Sequence, residues 1–319
     1  MNDTDKSVLS IIGGGIGAAL LALTGVALMI ACQVVVMLGL DIAGVDYHLY
    51  DGVTTTLYSL LTIGVMLVFL KILKCIYDEP AIKVGKLNAA QICLTIVVSF
   101  GLMGCVNLYL VGANYLTQVA PEVMGEELEK YSESVDRYAE YEAEVIPNWD
   151  HILEFIGVAF LVPLAEELTF RGVILGALLK KFRPSIAVLL SAVIFGILHG
   201  LSIHIGYALL CGIIIGWVYF YTESIKATFM LHALFNLMGS ALVTFLDSGM
   251  FGDLGDAVSL VSGSTFLIEI ICIPPAIASF VFLRMIYKSK YSAAKAAESE
   301  ENGSGETAPS DDSSDIMYV

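Results

Sequence analysis

Residues 155–179 read FIGVAFLVPLAEELTFRGVILGALL. At 1.5 Å per residue such a helix is long enough to cross about 30 Å of hydrocarbon. Glu166 and Glu167 stand in its middle, and Arg171 follows four residues after the second. An acid in the centre of a membrane span costs ~2.5 kcal/mol or more unless it is paired or hydrated. An adjacent pair of acids here marks a site by default.

The rest of the chain has the same apolar character. Of its 319 residues 57% are hydrophobic and 15% charged, a composition of the polytopic membrane class. Eight apolar stretches reach spanning length, over residues 8–40, 53–77, 88–117, 151–179, 184–201, 203–221, 225–246 and 264–287. The expected fold is an all-α membrane helical bundle of about eight transmembrane helices. The first stretch is too long for a cleaved signal peptide and reads as a retained span. Its GGGIGA run, Gly13 to Ala18, has no preceding strand, so close helix packing is preferred to a dinucleotide fingerprint.

Charge gives the organisation. Lys71, Lys74, Lys83 and Lys86 surround one link, Lys180, Lys181 and Arg183 follow the fourth span, Lys226 the sixth, and Arg284, Lys288 and Lys290 the eighth. The alternate loops are acidic, so the positive-inside rule predicts both termini in the cytoplasm (N-in/C-in). The sequence divides into three N-terminal helices (1–118), an acidic extracytoplasmic loop (119–150), a block holding the candidate chemistry (151–246), a loop with the last helix (247–290) and a disordered acidic tail (291–319). The loop carries ten acids against Lys130 and Arg137. It includes a second adjacent pair, Glu126 and Glu127, which reads as solvated charge. A net charge of −16 argues against nucleic-acid binding. Trp149 is an expected interfacial anchor. The six cysteines (Cys32, Cys75, Cys93, Cys105, Cys211 and Cys272) form no CxxC pair and read as small apolar side chains.

Two later spans add polar groups at helical spacing. Phe195 and His199 are four apart, as are His232 and Asn236, and i, i+4 residues project from one face. Each histidine alone reads as core. Two on different spans, with an acid pair on a third, point to one site. Glu166 and Glu167 differ by about 100° around a helix. Glu167 can therefore pair with Arg171 while Glu166 faces a cavity as general base.

E-E-x-x-x-R at Glu166 to Arg171, F-x-x-x-H at Phe195 to His199 and H-x-x-x-N at His232 to Asn236 resemble, in order, the three motifs of the CAAX prenyl protease and bacteriocin-processing (CPBP, or Abi) family of intramembrane proteases. The resemblance covers about residues 150–245. It implies peptide-bond hydrolysis in a helical bundle, with Glu166 and His199 activating water. His232 and Asn236 then stabilise the oxyanion or help bind a metal, Glu167 and Arg171 support Glu166, and Phe195 shapes the pocket wall. Glu166, His199 and His232 are a candidate ligand set for Zn2+, with roughly one divalent ion expected per chain; direct glutamate and histidine catalysis fits the same residues. The expected substrate is a membrane-associated or prenylated peptide or protein, and the expected location is the plasma membrane of a prokaryote.

Two other classes stay open. A non-catalytic immunity or scaffold protein could use the bundle to bind a peptide, and a proton-coupled transporter would use Glu154 and Glu269. The depths of Glu166 and His199 also conflict in a simple bundle. Counted from opposite ends of their spans, each lies about 22 Å down.

Overall fold

The computed structural model describes residues 3–77, 80–119, 146–200 and 202–303. Most of the acidic loop, with Glu126 and Glu127, and the tail beyond 303 lie outside the described residues. Eight helical runs follow one another among those described. They are α1 (Asp3–Ile42), α2 (Asp51–Tyr77), α3 (Ala89–Val119), α4 (148–179), α5 (Pro184–Ile197), α6 (Ser202–Thr222), α7 (Ile225–Asp247) and α8 (Gly255–Gly303). Among the described residues the only bridge between extended segments joins Val84 to Ser224. The protein is an all-α, polytopic, integral membrane bundle.

Among the described residues six helices, α1, α2, α3, α6, α7 and α8, are long and apolar enough to cross a membrane. The other two expected spans differ from them. The α4 run is long but carries Glu166, Glu167 and Arg171, and α5 has 14 residues. Outward-facing positions are apolar, as with Leu20, Leu23, Leu260, Ile271 and Ile277. Lipid hydrocarbon is the solvent such a surface needs. The α8 helix continues to Gly303, beyond residue 291 where a disordered tail was expected. The segment AAKAAESEE is rich in Ala, Lys and Glu, which favour helix without tertiary support.

Two of these elements carry π turns, three in all. In α4 these are Gly157–Leu161 and Leu168–Leu175, on either side of Val162–Glu167; α7 has Leu237–Ala241. Pro163 lacks an N–H and crowds the carbonyl four residues back. The wide turn before it accommodates this without a break, and α4 stays continuous. The short α5 removes the depth conflict. Glu166 lies about 20 Å from the Lys180 end of α4, and the 14 residues of α5 rise about 21 Å from that same end. Gly200, with φ +82°, then turns the chain into α6.

Close approach sets the outer packing. A Cβ on Gly104 would fall 2.3 Å from the Glu269 carbonyl oxygen, and one on Gly101 would fall 2.1 Å from Ala276 Cβ. Small residues thus let α3 and α8 meet backbone to backbone. Asn107 donates to the Glu269 carboxylate within that interface.

At the lysine-rich end the 80–88 link straps the α6–α7 turn. Gly85 N–H donates to Glu223 O (2.9 Å), Ile225 N–H to Lys83 O (3.0 Å) and Ser224 Oγ to Gly85 O (2.8 Å). The Glu223 side chain binds Lys83 at 2.9 Å and Lys290 of α8 at 2.7 Å. Partial burial pushes its carboxyl up, but hydrogen bonds and charge from Lys290 and Lys83 outweigh that and hold it below its ordinary value. A depressed carboxylate stabilises above its unfolded pKa, and the contribution is lost as pH falls through the folded pKa. Both lysines are mostly exposed, so Glu223→Gln is expected to cost no more than about 1 kcal/mol at neutral pH. The difference in melting temperature from wild type should close on acidification. A gap that widens at low pH would contradict this.

Candidate active site

The α4, α5 and α7 helices bring the three motifs together. Glu167 is fully buried. Its Oε1 accepts from Arg171 Nη1 at 2.9 Å, one turn on, and from His232 Nδ1 of α7, also at 2.9 Å. Arg171 lies 5.2 Å from the centre of the Phe195 ring, a cation–π contact. Glu167 Oε2 and Arg171 Nε have no hydrogen-bond partner among the described residues.

Glu166, about 100° round α4 from Glu167, has a different environment. Its side chain keeps 21% exposure, and its Oε2 lies 3.5 Å from His232 Nε2. His232 therefore stands between the two glutamates. With Nδ1 donating to Glu167, its Nε2 faces Glu166 and can donate there when the ring is protonated. This contact between motifs is not visible in any one motif's spacing.

His199 follows the last turn of α5. Its Nδ1 lies 2.8 Å from the Phe195 carbonyl oxygen, which leaves Nε2 with a lone pair when Nδ1 carries the proton. The Phe195 ring packs edge-on to Phe170 at 4.8 Å, with its centre 4.5 Å from the His199 ring and 6.1 Å from the His232 ring. One aromatic side chain thus spaces both histidines.

Glu166 and His199 line a cavity of about 210 Å³. Its other walls include Val162, Phe170 and Leu198, together with Met29 and Gln33 of α1 and Tyr58 and Thr62 of α2. Gln33 was legible as an amide in an otherwise apolar helix. The α2 hydroxyls of Tyr58 and Thr62 had no distinguishing signal, because hydroxyl groups are ordinary in membrane helices.

Asn236 is held through its amide. Its Nδ2 donates to the Val158 carbonyl at 3.0 Å, so its amide is tied to the first π turn of α4, and the residue is not among those lining the Glu166 cavity. The set Glu166, His199 and His232 does not close as a metal site either. Among the described residues no three His, Cys, Asp or Glu side chains are grouped so as to hold an ion. His232 has one nitrogen engaged by Glu167 and the other directed at Glu166. Glu269 pairs with Asn107 at the α3–α8 interface, and Glu154 lines a different cavity. Neither acid is among the residues lining the Glu166 cavity.

Residues 148–238 match the family described as type II CAAX prenyl endopeptidase Rce1-like. The chain is also similar to UPF0177 protein YxdF of Lactococcus lactis subsp. lactis (strain IL1403), with 34% identity over 92 residues, 28% of this chain and 50% of that protein. The chain thus spans about half the length of the curated relative it matches. No solved structure matches it. The matched block contains all three motifs, and the match supports the resemblance of these residues to the CAAX prenyl protease and bacteriocin-processing family.

Proposed function

We propose that this protein is an intramembrane endopeptidase acting on membrane-associated peptides or proteins. The observation that carries the reading is the unequal placement of two adjacent acids. Glu167 is sealed and holds Arg171 and His232, whereas Glu166 faces the cavity it shares with His199. A general base needs both access to water and freedom from a permanent partner.

In this mechanism a cavity water gives its proton to Glu166, and its oxygen adds to the scissile carbonyl. The oxyanion forms within reach of His232, whose orientation Glu167 maintains, and the Nε2–H of the protonated ring there stabilises the developing charge. His199 Nε2 orients the water. Collapse of the intermediate breaks the C–N bond, and the proton held by Glu166 passes to the leaving amine. Asn236 can contribute to the oxyanion through its second amide N–H, the first being bound to Val158.

The test is comparison of the membrane peptidome in cells expressing the protein or its Glu166→Ala variant. Fragments that depend on Glu166 are expected. Identical peptidomes would favour a scaffold or immunity role. A second measurement concerns metal. With direct glutamate and histidine catalysis, exhaustive EDTA treatment leaves cleavage of such a fragment's precursor intact. Loss of cleavage that zinc restores would instead require Glu166, His199 and His232 to rearrange into a ligand set.

A further inference from the structure

A second cavity, of about 480 Å³, lies toward the start of α4 and is lined by Asp51 and Thr55 of α2 and by Glu154 and Val158 of α4. The helices α2 and α4 run side by side and parallel. Asp150 accepts from Gly52 N–H at 2.9 Å, Thr56 Oγ1 donates to Leu153 O at 3.2 Å, and a Cβ on Gly172 would meet Leu70 at 3.3 Å. The same face of each helix lines both cavities. On α2 it bears Asp51 and Thr55 at the second cavity and Thr62 at the Glu166 cavity, and on α4 it bears Glu154 and Val158 and then Val162 and Glu166. These spacings of four and seven keep each series on one stripe.

Between the two cavities this stripe contains polar groups without partners. Ser59 and Thr62 are both fully buried, and neither hydroxyl has a hydrogen bond among the described residues. Thr24 and Thr54, by contrast, bond to carbonyls four residues back in the usual way. A buried hydroxyl without a partner is costly, and ordered water is the common remedy. The register places Ser59 opposite the Gly157–Leu161 π turn of α4, a wide turn of the kind found at functional sites. From Thr55 to Thr62 the rise is about 10 Å, a gap that a short file of water bridges.

We propose that this α2 stripe is the water inlet of the enzyme, with water passing from the Asp51/Glu154 cavity along Thr55, Ser59 and Thr62 to Glu166. The inlet rests on Glu166 being the base that activates water. It separates the source of water from the α1 side of the inner cavity, where Met29 and Gln33 stand. It also gives the unpartnered hydroxyls a ligand, water, supplied one molecule per turnover.

Single cysteines in the full-length protein test it in membrane vesicles, with a charged methanethiosulfonate as probe and mass spectrometry to locate each adduct. Thiols react as thiolates, which need water, so Ser59→Cys and Thr62→Cys should react ~10-fold or more faster than Leu60→Cys, a lipid-facing control half exposed at the same depth. Adding Thr55→Trp, which fills the entrance, should slow both. If either inlet cysteine reacts no faster than Leu60→Cys, or if Thr55→Trp leaves both rates unchanged, the inlet is overturned; should one cysteine variant not fold, the other is read alone. Labelling does not depend on proteolysis. A hydrated stripe in a protein whose Glu166→Ala peptidome matches wild type would therefore remove the peptidase reading and leave the water path.

Discussion

Turnover should fall by about 10²- to 10⁴-fold when Glu166 is replaced by glutamine, the loss typical of removing a general base, while thermal stability stays near wild type. Glutamine keeps the shape and the cavity contacts but cannot take a proton from water. The polar contact most at risk is His232 Nε2 at 3.5 Å, beyond normal hydrogen-bond length, so little folding energy depends on the charge. His199→Ala should also abolish cleavage while membrane insertion remains nearly intact. The measurements are turnover of a precursor identified by the peptidome comparison and melting temperature in detergent. A Glu166→Gln protein that cleaves at the wild-type rate would remove the base, and the mechanism with it.

Arg171→Ala should have the largest effect on stability, a loss of about 3–5 kcal/mol, because removing one partner of a buried pair leaves the other charge uncompensated. Arg171 is 1% exposed and Glu167 0%, so water cannot take the place of the missing partner. Glu167→Gln should destabilise for the same reason, with Arg171 as the stranded charge. Replacing both, with Glu167→Leu and Arg171→Met, leaves no lone charge and should restore most of the stability. Activity should not return, since His232 Nδ1 loses the oxygen that orients it. Chemical unfolding of the two single variants and the double variant forms a cycle whose coupling term measures the pair. Wild-type stability in Arg171→Ala would show that the pair carries no such load.

The sequence alone determined the all-α membrane class, the positions of most helices and the identity of the chemical groups. Hydrophobic runs and intramembrane charge are local properties, and their cost in hydrocarbon does not depend on tertiary detail. The partnership of Glu167 with Arg171 was legible for the same reason, as an i, i+4 pair on one helix. Tertiary structure alone decided that His232 joins Glu167 and approaches Glu166, that Asn236 is tied to Val158, and that α1 and α2 complete the cavity. These contacts link residues tens to more than a hundred positions apart, and helical spacing carries no information about which face of one helix meets another. The π turns follow the same rule. Those of α4 flank Pro163 and include Gly172, and Ser59 and Thr62 differ from the exposed Thr24 in being buried with no hydrogen bond among the described residues.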